Sequence, residues 1–115
     1  MAVEQGILLK AASLGADVAS VAVNIEHITR MSLHLILTGT PVGAIQLQCS
    51  NDPVADGDSV INWIDYTDGV AAVSGAMGVM FNLKEISFKW IRVIYVRSSG
   101  TGAITCNTYS VTDRA

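Results

Sequence analysis

The stretch Met31-Ser32-Leu33-His34-Leu35-Ile36-Leu37-Thr38-Gly39-Thr40-Pro41-Val42-Gly43-Ala44-Ile45-Gln46-Leu47-Gln48-Cys49-Ser50 holds two runs of alternation around a turn rich in glycine. Met31, Leu33, Leu35 and Leu37 alternate with Ser32, His34, Ile36 and Thr38, and Ile45, Leu47 and Cys49 alternate with Gln46, Gln48 and Ser50. A period of two is that of a strand with one buried face. Two such runs joined by Gly39-Thr40-Pro41-Val42-Gly43 predict a β-hairpin. The stretch carries no charge between Arg30 and Asp52, yet His34, Gly39, Pro41, Gly43, Gln46 and Gln48 argue against a membrane span.

Working outward, a second hairpin is expected where Trp90 to Arg97, apolar and β-branched, meets Ser98-Ser99-Gly100-Thr101-Gly102 and returns as Ala103 to Val111 with Ile104 and Cys106 inward. Both turns end in Gly-Ala-Ile, too little shared sequence to establish an internal repeat. Ala19, Val21, Val23 and Ile25 alternate with Ser20, Ala22, Asn24 and Glu26, which predicts another strand. Short strands are expected at 62–67, 70–74 and 78–83, separated by Asp68-Gly69 and by Gly75-Ala76-Met77-Gly78, and Ile7 to Ala11 adds an edge strand within a segment 1–12 that reads as an arm or edge. Helix is confined to a turn at Leu83–Ser87 and a weaker candidate at Glu26–Met31. About eight strands with turn residues between them predict an all-β fold, an antiparallel β-sandwich or jelly roll, in one domain spanning 1–115.

Composition narrows the function. The chain has 115 residues, 50% hydrophobic and 15% charged, where roughly 25% charged is usual, so it is too apolar for disorder and sparing of surface charge. Seven Lys and Arg against ten Asp and Glu give a net charge of −3, with no general attraction to nucleic acid or anionic lipid. Met1 to Lys10 lacks the basic and apolar pattern of a secretory leader. Cys49 and Cys106 are expected to be free thiols, with no metal-finger spacing around them.

Chemistry-bearing motifs are few. Gly-x-Ser-x-Gly, His-Glu-x-x-His, Cys-x-x-Cys and a phosphate loop leading into a helix are all missing, so no enzyme, no catalytic residue and no cofactor are expected. His34 lies opposite the leucine face of its strand and reads as an ordinary strand histidine. Asp52, Asp56 and Asp58 could hold calcium, but Asn51-Asp52-Pro53 and Asp56-Gly57-Asp58 are ordinary turn chemistry, and no metal is expected. Lys84, Lys89, Arg92 and Arg97 cluster with Glu85, and Arg92 and Arg97 either sit solvated on a strand or pair with acids across a subunit boundary. Trp63, Tyr66, Trp90, Tyr95 and Tyr109 could furnish a sugar-stacking platform, though a sandwich of this size uses some aromatics in its core.

A family resemblance runs through Thr38-Gly39-Thr40-Pro41-Val42-Gly43-Ala44-Ile45-Gln46-Leu47-Gln48-Cys49-Ser50-Asn51-Asp52, Asn62-Trp63, Phe81-Asn82-Leu83, Phe88-Lys89-Trp90-Ile91-Arg92-Val93-Ile94-Tyr95 and Ser99-Gly100-Thr101-Gly102. These residues resemble small β-sandwich structural proteins of tailed bacteriophages, described as head decoration, cement or tail-associated components. The resemblance implies a virion protein made in the bacterial host cytoplasm, a homo-oligomer with a trimer favoured, and the major capsid protein or other virion proteins as partners, without direct nucleic-acid or membrane contact. It implies a capsid decoration protein that binds and stabilises the head shell, with capsid or subunit contacts expected at Val3, Ile7, Leu9, Pro41, Val42, Asp56, Arg92, Arg97 and Thr101. Ser50-Asn51-Asp52 followed by Trp63 is similar to discoidin-type carbohydrate-binding sandwiches, which implies the alternative of a tail or baseplate adhesin binding host glycan through Asn51, Asp52, Trp63 and Tyr66.

Overall fold

A computed structural model describes residues 2–84 and 86–112. The chain forms β1 (Ala2–Ser13), β2 (Val18–Ala19), β3 (Val23–Asn24), β4 (Arg30–Gly39), β5 (Val42–Ser50), β6 (Ile64–Ser74), β7 (Met77–Leu83), β8 (Trp90–Ser99) and β9 (Gly102–Thr112). Strands β1-β9-β4-β7 make one antiparallel sheet, called here the first, and β2-β8-β5-β6 the second, with β3 also paired to β8. Since β2 and β3 are two pieces of one interrupted edge, this is the eight-strand order of a jelly roll. The all-β expectation is met.

The core lies between the sheets because the alternation turns one side of every strand inward. Met31, Leu33, Leu35, Leu37, Phe81, Ile104 and Cys106 from the first sheet pack with Ile45, Leu47, Val73, Ile91, Val93 and Tyr95 from the second, and all are buried. Leu14 and Ile25, from the connections flanking the interrupted edge, close the same core. Cys106 is buried, which pushes its thiol up to about 12, while partial burial raises Cys49. Both cysteines are free.

The two expected hairpins are not hairpins. β4 and β5 lie in different sheets, as do β8 and β9, so each glycine-rich turn carries the chain across the sandwich instead of folding a strand back onto its neighbour. The local sequence specifies a reversal, but the backbone partners come from distant strands: β4 pairs with β7 and β9, and β5 with β6 and β8. A third crossing, Gly75-Ala76, joins β6 to β7. All three are tied together at one end by Thr40 N–H donating to the Thr101 carbonyl at 2.8 Å and Gly75 N–H donating to the Pro41 carbonyl at 2.7 Å. Crowding there explains the glycines. Gly100 has φ +80°, and a Cβ on it would lie 1.8 Å from the Thr40 carbonyl oxygen. No side chain fits without moving that crossing.

Three further expectations change. Segments 62–67 and 70–74 belong largely to one strand, β6, and Asp68-Gly69 lies in a bulge opposite Leu47, where the register jumps between Gln46 and Gln48. The strand expected over 19–25 survives only as the pairs β2 and β3, because Ser20 turns inward and Val21 is exposed, which breaks the alternation. Neither helix candidate forms among the described residues: β7 runs to Leu83, Glu85 lies outside the described residues, and Arg30 already begins β4. Among the described residues the only helical turn is a 3₁₀ segment, Gly57–Ser59, capped by Asp56, whose carboxylate accepts from Asp58 N–H at 3.0 Å.

Candidate interaction surface

The outer faces of the two sheets differ in how their polar side chains are used. On the second sheet, Gln46 donates through Nε2 to the carbonyls of Leu47 at 2.7 Å and Tyr66 at 2.9 Å, bracing the β6 bulge. Arg92 Nε donates to Gln48 Oε1 at 2.8 Å, Gln48 Nε2 donates to Asp65 Oδ1 at 2.9 Å, and the Arg92 guanidinium lies 4.4 Å from the centre of the Trp63 ring. The segment between β5 and β6 also folds onto this side. Trp90 alternates with the core residues Ile91, Val93 and Tyr95 and so points outward, yet it is only 4% exposed, with Gly57 close against its ring and Val60 buried nearby in sequence to that turn.

On the first sheet Thr105 Oγ1 accepts from Ala11 N–H at 3.1 Å beside the β1 irregularity, but the two rows at the middle of the face are not engaged in this way. The register aligns Gln5, Tyr109, Ser32 and Asn82 in one row, and Ile7, Asn107, His34 and Met80 in the next. Leu33 and Leu35 point to the core, so these rows face outward. Among the described residues, the side chains of Gln5, Ser32, His34, Asn82, Asn107 and Tyr109 make no hydrogen bond to protein. Val3, Ile7, Ile36, Met80 and Tyr109 are exposed on the same face, with Ile7 at 61% and Met80 at 56%. An open groove of about 520 Å³ runs among Gln5, Ile7, His34, Met80, Asn107 and Tyr109. The described residues that these four strands turn outward include no carboxylate. Such a face combines apolar contact with unused donors and acceptors, the make-up of an interface core.

The contact residues expected from sequence are scattered over the molecule. Val3 and Ile7 lie on this face. Leu9 is half-buried against the core beyond a bulge at Leu8, and Pro41 is buried in the crossing, so neither presents a surface. Val42 and Thr101 are exposed at the end where the crossings meet. Asp56 caps the 3₁₀ turn, Arg92 is held by Gln48 and Trp63, and Arg97 Nε donates to the Gly100 carbonyl at 3.0 Å. The residues that sequence reasoning missed are Ile36, Met80 and Asn107. Their signal was present, since each occupies the polar phase of an alternating strand.

The glycan candidates are not brought together as a platform. Asp52 accepts from Ile61 N–H, Asn62 N–H and Asn62 Nδ2, which holds its carboxyl below the usual range, and Asn51 Oδ1 accepts from Lys89 N–H. Trp63 carries Arg92 against its ring, and Tyr66 packs on Phe88 with centroids 5.7 Å apart. Trp90 and Tyr95 are buried. The Asp52 oxygens are thus engaged in pinning their own loop, and among the described residues no group of three metal-ligating side chains converges.

No protein-family profile and no curated protein sequence matches the chain. Its fold recurs in solved structures. The chain is similar to the SPBc2 prophage-derived protein YomS, with TM-score 0.63 and 9% identity over 96% of this chain and 94% of that one. It is similar to a family 29 carbohydrate-binding module from Piromyces equi, with TM-score 0.55 and 6% identity over 100% and 97% of the two chains. A third likeness, with TM-score 0.54 and 8% identity, covers 97% of this chain and 32% of a chain of infectious bursal disease virus, Gx strain. At these identities what is shared is the fold.

Proposed function

We propose that this chain is a structural protein of a tailed-bacteriophage particle, a decoration protein that seats the outer face of its β1-β9-β4-β7 sheet on the assembled head shell. The observation that carries the reading is the contrast within one small sandwich. One outer face is partly covered by its own chain and internally hydrogen-bonded, while the other leaves Ile7, Met80 and Tyr109 exposed beside free amide, imidazole and hydroxyl groups. Apolar area of this kind is costly to leave in water, at about 25 cal/mol per Å². Docking on a neighbour removes that cost and uses the idle hydrogen-bonding groups. The sequence resemblance to phage structural proteins supports the same reading, and the likeness to YomS is compatible with it.

Mechanistically the protein turns nothing over. Bound only to the assembled lattice, it stabilises that state by mass action, so a shell with its sites filled resists heat better than a bare one. For the adhesin alternative, the Trp63 ring in the Asn51–Tyr66 segment carries the Arg92 guanidinium 4.4 Å from its centre, which sets that side chain in a contact within the protein.

The test is sedimentation of purified chain with emptied phage heads. Stoichiometric binding is expected, with loss of at least a hundredfold in affinity for Met80→Glu combined with Ile36→Glu, while Arg97→Ala binds as wild type. If the wild-type chain does not bind, or if the paired substitutions leave binding intact, the reading fails. Capture on a glycan array by wild type and its loss in Trp63→Ala would instead establish the adhesin alternative.

A further inference from the structure

The first sheet ends at β1, whose outer edge has no strand beside it: β1 pairs only with β9, and among the described residues no other backbone hydrogen bond reaches Ala2–Leu9. An unpaired edge is a template for another strand, and folds usually blunt it with charge, bulges or interruption. The second sheet does so. Its β6 edge carries Asp65, Asp68 and a bulge, and its other edge is broken into β2 and β3. The far edge of the first sheet, β7, also pairs on one side only, with β4, but it is a shorter strand of 7 residues, anchored at one end by the Gly75-Ala76 crossing from β6. In β1 the irregularity is confined to the end that follows Ile7, where the register shifts at Leu8 and again before Ala12, and Ala11 has φ 47°. Ala2–Ile7 keeps unbroken register and has one charge, Glu4.

We infer that Val3–Ile7 pairs with the same segment of a second copy of this chain, antiparallel across a twofold axis centred on Gln5. The register follows from the strand itself. Antiparallel self-pairing joins positions whose numbers have a constant sum, and opposed side chains must lie on the same side of the sheet, so the centre falls on a residue. A centre on Glu4 sets two carboxylates against each other, which is repulsive. A centre on Gly6 drives Glu4 against the bulged Leu8, and a centre on Val3 uses only Ala2 to Glu4. A centre on Gln5 engages Val3 to Ile7, sets Val3 opposite Ile7 of the second copy on the outer side, and puts Glu4 opposite a glycine.

The pairing also serves the exposed face. Four strands about 4.8 Å apart and about nine residues long make a face of roughly 570 Å², below the ~800 Å² per partner of a standard interface. Joining two copies edge to edge gives one continuous eight-stranded face of about twice that area. The pairing stands on the edge itself and does not need a capsid.

The experiment uses the full chain without phage particles. With Cys49→Ser removing the more accessible thiol, Gln5→Cys is expected to form a disulfide-linked dimer on mild oxidation, whereas Thr67→Cys in the β6 bulge is not. In analytical ultracentrifugation the wild type is expected to sediment as a dimer, and Gln5→Lys, which opposes two ammonium groups, as a monomer with unchanged circular dichroism. A monomeric wild type, a Gln5→Lys dimer, or cross-linking at 67 equal to that at 5 overturns the inference. Met80→Glu tells the two readings apart, since it should remain dimeric while losing shell binding. A monomer that decorates heads sinks only the pairing, and a dimer that ignores heads sinks only the shell reading.

Discussion

The two outer faces of this sandwich are both made by alternating antiparallel strands, yet they do different things with their polar residues. On the second sheet Gln46, Gln48, Asp65 and Arg92 are partners of one another or of the bulge carbonyls, so each is part of how the fold holds itself. On the first, Gln5, Ser32, His34 and Asn107 are attached to the fold by their backbone alone. Polar residues on a strand's outer face are therefore not equivalent: those spent internally contribute to stability, and those left idle are available for recognition. Sequence alternation marks both sets identically, and only the neighbours supplied by the topology separate them.

The sharpest way to break the comparison is to remove one amide from each face. Gln46→Ala takes a donor from the Leu47, Tyr66 and Gly69 carbonyls around the β6 bulge. Leaving such groups underused costs about 1–3 kcal/mol. Asn107→Ala removes a side chain with no protein partner among the described residues and should change stability by less than ~0.5 kcal/mol. Urea denaturation of the two variants against wild type measures both. Equal losses would show that the Asn107 face is as structurally engaged as the Gln46 face, and the distinction would fall.

Much of the fold was legible because burial follows the period-two pattern at Met31–Leu37, Ile45–Leu47 and Ile104–Cys106. What alternation cannot report is which strand lies alongside. A turn such as Gly39–Gly43 reads the same whether its flanks pair through backbone hydrogen bonds or face each other through side chains, and the hairpin expectation failed for that reason. A clue was the surplus of glycine. A tight hairpin needs one or two, whereas Gly39, Gly100 and Gly102 stand where the strands of two crossings nearly touch. The second sheet's covered face was legible in part, since Trp90, Ile94 and Val96 make the outward phase of β8 as apolar as its inward phase. The idle face was legible only as far as the outward phase that Ile36, Met80 and Asn107 occupy, because being idle depends on which residues fail to meet.

A smaller effect is expected at the loop that follows β5. Asp52 accepts three hydrogen bonds from Ile61 and Asn62, and these depress its pKa. A carboxyl whose folded pKa is lowered contributes stability that is full above its unfolded pKa and lost as pH falls through the folded value. Asp52→Ala should therefore lower Tm at pH 7, and the gap to wild type should narrow once the pH drops below about 4. A gap unchanged between pH 7 and pH 2 would mean that these hydrogen bonds do not anchor the segment.

The smallest effect is expected inside the core, where the second sheet carries an oversight. The Tyr95 hydroxyl is buried without a hydrogen-bond partner among the described residues, and it sits against Gly43, whose hypothetical Cβ would lie 2.8 Å from that oxygen. A buried polar atom with no partner opposes folding. Tyr95→Phe deletes the oxygen and leaves the ring in place, so it should leave Tm unchanged or raise it slightly. If instead the variant melts clearly lower, the hydroxyl has a partner, an ordered water being the simplest, and the crossing at Gly39–Val42 is held by a hydrogen bond that the packing of glycine alone does not explain. Either result bears on the comparison, because it decides whether Tyr95 is engaged within the core as Gln46, Gln48, Asp65 and Arg92 are on the outer face of the same sheet.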